Sequence, residues 1–280
     1  MTSYVISEKK KKDRRLKERR RYFEKKKNPE YVLMRQKQRE EEYQRNKKPV
    51  TYYIDKVKDT FTNELLRKNY EDLSRNGYFL ISGKLSRNII SQLVKQARSR
   101  LKNYSSIFQT KEQAESEADF ETKRGQCEVD DTGNFVVWLR SLIVENLGPK
   151  YSPVDLLFLR SLRGCEDQAI HCDHDPKRAK EYADNFPLSA ILAIQEGSKL
   201  VIHHEDLNYV KKNRFVTMSS RREVEIPLGS VLIFHGFLPH GGAAYTSDNY
   251  RVHFNIVTND FKSKENATYL VDVLNDLSLK

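Results

Sequence analysis

No stretch of this sequence approaches the roughly 20 consecutive apolar residues that a helix needs to span a bilayer, so these 280 residues contain no helical membrane segment. A secretory hydrophobic region is also missing, because Met1-Thr2-Ser3-Tyr4-Val5-Ile6-Ser7 runs straight into lysines. Cysteine is scarce: Cys127, Cys165 and Cys172 are odd in number and follow no framework spacing, which excludes a disulfide scaffold and fits free thiols in a reducing compartment. The expected location is intracellular, in the nucleus or cytoplasm. No internal repeat is visible. The hydrophobic fraction, 38%, is low but sufficient for a packed core, and 10% aromatic residues argue against wholesale disorder.

Positive charge is abundant but confined. The net charge is +11, and residues 1–48 alone hold 19 Lys and Arg against 8 Asp and Glu. The rest of the chain balances at 31 of each sign. The runs Lys9–Lys12, Arg19–Arg21 and Lys25–Lys27 have too few apolar neighbours for a core. Residues 1–49 therefore read as a basic arm, disordered or in short solvated helices broken at Asn28-Pro29. Such an arm suits nucleic acid or another polyanion, or an import signal. A pure nucleic-acid-binding protein is disfavoured by the neutrality of residues 50–280, which read as one domain.

Residues 50–103 read mainly as helix. Capping residues precede Leu65-Leu66, Asn76-Gly77 forms a break, Tyr78–Ile81 reads as a short strand, and Ser86 caps an amphipathic helix bearing Ile89, Ile90, Leu93 and Val94. Residues 105–134 are polar and read as a surface excursion that can cover substrate, as does the loop 174–187. Phe135–Leu147 is helical in pattern. From Leu156 the period changes to two, with strand-like runs at Leu156–Leu162, Asp167–Asp173, Leu188–Gln195, Lys199–His203, Glu223–Ile226, Val231–His235 and Arg251–Val257. Seven short strands joined by Gly and Pro turns predict a mainly β domain with flanking helices, its jelly-roll core over about 154–260.

Histidine is absent before residue 171, and all seven histidines (171, 174, 203, 204, 235, 240 and 253) fall between there and residue 253. Such crowding in an all-β segment prompts a metal reading. In Gln168-Ala169-Ile170-His171-Cys172-Asp173, alternation points His171 and Asp173 one way and Ile170 and Cys172 the other. Two donors so placed can share one ion, with a third from elsewhere. A facial set of two imidazoles and one carboxylate leaves coordination positions open.

The second feature is the turn and strand Ile226-Pro227-Leu228-Gly229-Ser230-Val231-Leu232-Ile233-Phe234, followed by His235-Gly236-Phe237-Leu238-Pro239-His240. Arg251 comes eleven positions after His240, and alternation places Arg251, His253 and Asn255 on one strand face. With Gly77-Tyr78-Phe79-Leu80-Ile81 and the helix after it, these residues resemble the 2-oxoglutarate/Fe(II)-dependent dioxygenase superfamily, in particular its phytanoyl-CoA-hydroxylase-like branch, over about residues 70–260. The resemblance implies a double-stranded β-helix with Fe(II) held by His171, Asp173 and His240. It also implies 2-oxoglutarate gripped at its far carboxylate by Arg251, O2 as oxidant, and hydroxylation or demethylation of a substrate the sequence does not name. Two departures stand out. Asp175 offers a second carboxylate, and Gly242 stands where related enzymes often carry a hydroxyl.

Other readings stay open at this point. His171 and Asp173 can belong to a surface turn at Asp175-Pro176. His235 can replace His240 as ligand, and Arg251 can serve a structural ion pair. His253 reads as a satisfied interior histidine, His203-His204 as a strand edge, Cys172 as a small buried hydrophobe and Gln168 as a wall hydrogen-bonder. At the level of function, the alternatives are a metal-dependent cupin-type enzyme of another class, which does not need Arg251, and a non-catalytic jelly-roll binding nucleic acid or protein. Only the oxygenase reading demands succinate from 2-oxoglutarate.

Overall fold

The computed structural model describes residues 63–107, 123–130, 133–176, 178, 186–204, 215–258, 261 and 269–274. The basic arm, the first part (59–62) of the stretch expected to cap the helix and most of the two covering loops lie outside the described residues. Among the described residues no helix is long and apolar enough to cross a membrane.

Among the described residues three α-helices form, the first two behind side-chain caps. α1 (Glu64–Asn76) starts at Asn63, whose side chain accepts from the Leu65 N–H, and ends at Gly77 in the left-handed conformation. α2 (Arg87–Ser99) is capped by Ser86, as expected, and buries Ile90, Leu93 and Ala97. α3 (Asn134–Leu147) buries Phe135, Leu139, Leu142, Ile143 and Leu147. A buried amide pair, Asn69 Nδ2 to Asn146 Oδ1 at 3.2 Å, joins α1 to α3. The Tyr70 hydroxyl donates to the Leu147 carbonyl beside it.

Among the described residues the strands include β1 (Tyr78–Ile81), β2 (Arg124–Glu128), β3 (Tyr151–Ser161), β4 (His171–Cys172), β5 (Leu188–Ala193), β6 (Ser198–His203), β7 (Phe215–Thr217), β8 (Arg221–Ile226), β9 (Val231–His235), β10 (His240–Gly242), β11 (Asn249–Thr258) and β12 (Tyr269–Leu270). All of these but β7 build one antiparallel sheet in the order β1-β9-β5-β11-β3-β2 and another in the order β12-β4-β10-β6-β8. The result is the expected mainly β jelly-roll with flanking helices. The first sheet also recruits β1 and β2, from outside the span expected for the core. The stretch 105–134 is thus not wholly an excursion: Arg124–Glu128 pairs along β3 from Ser161 to Leu157.

Both faces of the first sheet are covered. On β11, Val252, Phe254 and Ile256 face the helices and are fully buried, while Arg251, His253 and Asn255 face the second sheet. Each fully buried Phe or Ile contributes about 1.5–3 kcal/mol, so the helix-facing row fixes the register and thereby aims the polar row. Between His253 and Asn255 the β11–β3 ladder shifts at a bulge, with Asp155 at φ 54. Asn255 Nδ2 donates to Asp155 Oδ2 across it. The turn before β9 needs Gly229: its φ is 75, and a Cβ there would meet the Leu85 carbonyl at 3.2 Å and Ile90 Cδ1 at 3.3 Å.

Candidate metal and anion site

The second sheet places two imidazoles side by side. β4 and β10 pair antiparallel with His171 directly opposite His240, and their ring centroids lie 4.5 Å apart. Each ring is oriented by a backbone carbonyl two residues upstream: His171 Nδ1 bonds Ala169 O at 2.8 Å and His240 Nδ1 bonds Leu238 O at 2.9 Å. A carbonyl only accepts, so both Nδ1 atoms carry the proton and both Nε2 lone pairs are left facing inward. Asp173, one residue beyond β4, brings Oδ1 to 3.9 Å from His171 Nε2 and 3.6 Å from His240 Nε2.

Charge reinforces the arrangement. Burial lowers His171 to about 4, helped by the neighbouring His240, so the ring is neutral at physiological pH. Burial alone pushes Asp173 up. The surrounding imidazoles of His240, His253 and His171 outweigh burial and hold it well below the carboxylate range. Asp173 Oδ2 faces His253 Nε2 at 3.5 Å, beyond good hydrogen-bond range. The interior histidine thus touches the carboxylate, a contact that sequence reasoning did not assign to it.

Two imidazoles and one carboxylate, with donor atoms within 4.8 Å of one another, form the one such cluster among the described residues. This donor set suits a divalent first-row ion. The structure does not bring Asp175 into it. His235 is kept away by strand parity: its neighbour Phe234 faces inward and packs edge-on against His240 at 4.6 Å, so His235 faces the helix side and stacks on Phe186 at 5.2 Å. His203 closes β6, which lies between β10 and β8 rather than at a sheet edge, and bonds Thr217 O through Nδ1. Cys172 is fully buried, its thiol donating to Phe237 O at 3.3 Å. Gln168 accepts from the Gly242 N–H, the wall role expected of it.

Burial, with His174 beside it, lowers His235 to about 3, which makes acid a specific destabiliser. The unfolded histidine titrates near its ordinary value of about 6.5, so between the two values the unfolded chain binds the extra proton. Stability is complete above the unfolded value and is lost as pH falls from there, at up to about 1.4 kcal/mol per pH unit. Urea midpoints for wild type should decline between pH 6.5 and pH 4. For His235→Phe, which retains the stack on Phe186, they should decline less steeply by one proton's worth. Parallel slopes would show that His235 does not carry the effect.

Arg251 lies on the same inner face, 1% exposed. Its Nη1 donates to Ser161 Oγ at 3.0 Å, and its Nε has no hydrogen-bond partner. Among the described residues no carboxylate lies within ion-pair distance of it. Sequence reasoning missed the two residues it meets. Ser161 is the β11-facing end of β3, opposite Asn249. Arg124 opens β2 opposite Ser161 and donates to the same Oγ at 2.9 Å. Burial, then the charge of Arg251, lowers the Arg124 guanidinium below its ordinary value. Once Arg124–Glu128 is assigned as a strand beside β3, alternation alone puts Arg124 on the inner face.

No family model matches the sequence, and no curated protein matches it. Among solved structures, the non-haem alpha ketoglutarate-dependent epimerase SnoN from nogalamycin biosynthesis is similar over 70% of this chain and 82% of its own, at 17% identity and TM-score 0.50. The carbocyclase SnoK of the same biosynthesis matches over 80% of this chain and 99% of its own, at 13% identity and TM-score 0.49. A prolyl-4-hydroxylase from Pseudomonas putida matches over 69% and 98%, at 16% and 0.46. The likeness to SnoN is one of fold: this chain is built on the same jelly-roll as a non-haem alpha ketoglutarate-dependent enzyme.

Proposed function

We propose that this chain is a 2-oxoglutarate- and Fe(II)-dependent oxygenase that hydroxylates or demethylates its substrate. The observation that carries the reading is the convergence of His171 Nε2, His240 Nε2 and Asp173 Oδ1 on the same inner side as the buried Arg251. His171, Asp173 and His240 would hold the ion. Bound Fe(II) and O2 supply the chemistry that couples oxidative decarboxylation of 2-oxoglutarate to oxidation of the substrate. Arg251 grips the far carboxylate of 2-oxoglutarate and so sets its direction relative to the ion. Phe234, packed against His240, keeps that side of the site dry. The Gly229-Ser230 turn before β9 and the spacing from His240 to Arg251 support the phytanoyl-CoA-hydroxylase-like branch. Three free thiols support an intracellular location, in the nucleus or cytoplasm.

Succinate formed from 2-oxoglutarate in the presence of Fe(II) and O2 tests the reading, and its absence would favour a cupin-type enzyme of another class or a binding module. Arg251→Ala should leave Mn(II) binding intact. It should weaken 2-oxoglutarate about 10–100-fold in calorimetry on the Mn(II)-loaded protein, as expected for losing a charged hydrogen-bond donor. Unchanged affinity would remove Arg251 from the site.

A further inference from the structure

A second guanidinium sits beside Arg251, in a place that neither the motif spacing nor the metal geometry assigns. Arg124, Ser161 and Arg251 share the inner face of the first sheet through cross-strand register. Facing them is Gly242, two residues along β10 from His240 and therefore on the same side of that strand. Any Cβ at Gly242 would stand 2.5 Å from Arg124 Nη1 and 3.2 Å from Arg251 Nη2. The bare backbone is what makes room for both cations.

The hydrogen bonds divide the work. Arg124 Nη2 donates to the Gly242 carbonyl at 3.2 Å and the Ala243 carbonyl at 2.8 Å, and also to the Glu166 carbonyl. These contacts anchor β2 to β10 and neutralise none of its charge. Arg124 Nη1 and Arg251 Nη1 both donate to Ser161 Oγ. A hydroxyl has two acceptor lone pairs and one proton, so with both lone pairs taken its O–H is left to donate. Arg251 Nε is buried without a partner. No carboxylate among the described residues lies within ion-pair distance of either guanidinium. Two adjacent cations so placed repel each other, and burial makes that costly unless an anion joins them.

We infer that Arg124, acting with Arg251 and Ser161, is a positioning residue that selects a 2-oxo dicarboxylate over a 2-oxo monocarboxylate. Arg124 fills the space of the hydroxyl side chain missing at Gly242 and supplies charge and a fixed Ser161 proton in its stead. This rests on the proposed oxygenase reading, which assigns the far carboxylate to Arg251.

The test is calorimetry on Mn(II)-loaded full chain with 2-oxoglutarate and with 2-oxopentanoate, which keeps the keto acid and lacks the far carboxylate. Arg124→Gln should weaken 2-oxoglutarate about tenfold, shift 2-oxopentanoate less than about twofold, and leave Mn(II) affinity unchanged. Arg124→Lys, which retains the charge, should recover most of the loss. An equal loss for both ligands marks Arg124 as merely structural and overturns the inference, as does no loss for either. Should Arg124→Gln fail to fold, modification of wild-type arginines by an arginine-specific dicarbonyl decides: 2-oxoglutarate but not 2-oxopentanoate must protect Arg124. If wild type binds no 2-oxoglutarate, the oxygenase reading fails separately. Glutarate titrated into the metal-free chain then judges Arg124: binding that it governs sustains an anion site, and absent or Arg124-independent binding ends it.

Discussion

Asp173→Ala should abolish metal binding and all metal-dependent turnover while the fold survives. Of the three donors it carries the only negative charge, and without it two imidazoles face a divalent ion alone. Losing even an outer partner of a metal ligand costs 10–100-fold in affinity, so loss of the carboxylate itself should cost at least about 100-fold. His171→Ala and His240→Ala should fall nearly as far, because each removes an Nε2 whose partner ring is already fixed by a backbone carbonyl and cannot swing to compensate. The fold should persist because the three side chains lie at the inner face between sheets, apart from the helix-facing core of Val252, Phe254 and Ile256. A ligand that binds only the native state raises its stability by mass action, so Mn(II) should raise the melting temperature of wild type and not of the variants. Equilibrium dialysis measures the affinity directly. If Asp175→Ala lost the metal and Asp173→Ala kept it, the carboxylate would be misassigned. If His235→Ala did so in place of His240→Ala, the parity argument for β9 would fail.

Much of this site was legible before any coordinates, because strand alternation is a strict rule. His171 and Asp173 are two apart, so they had to share a face, and Arg251 and His253 likewise. What was not legible depended on pairing partners, which a local pattern does not carry. Nothing in Pro239-His240-Gly241-Gly242 reads as a strand, since glycine disfavours one, yet His240–Gly242 form β10 because β4 and β6 supply hydrogen-bonding partners on both sides. That pairing is what brings His240 opposite His171. Arg124 was hidden for a related reason: β2 lies at a sheet edge in a polar stretch, where half its residues need not be apolar. Gly242 was noticed as a missing hydroxyl, but its meaning required seeing the two guanidiniums it faces. Spacing to Arg251 favoured His240 over His235, but strand parity could not be read from sequence, because Val231–Phe234 are all apolar and the inward facing of Phe234 shows only in its packing on His240. Phe234 and His235 are adjacent on one strand, and only one of them can face inward.

Deleting residues 1–48 should leave Mn(II) and 2-oxoglutarate binding unchanged and remove most of the affinity for nucleic acid. The argument is electrostatic. The deleted segment carries the whole net charge of +11, and the remaining residues balance at zero, so counterion release on a phosphate backbone has its source in the arm. For an arm engaging about six to ten phosphates, binding should fall by about 10³–10⁵-fold between 50 and 200 mM salt, with little dependence on base sequence. The truncated chain should show neither the affinity nor the steep salt slope. Fluorescence anisotropy with labelled duplex DNA and single-stranded RNA at both salt concentrations measures both. Equal binding by the truncated chain would move recognition into the jelly-roll itself, though not to Arg251, which is 1% exposed. Absence of binding by the full chain would leave Lys9–Lys12 and Arg19–Arg21 as import signals, and a nuclear localisation assay on the isolated arm would then decide between that role and none.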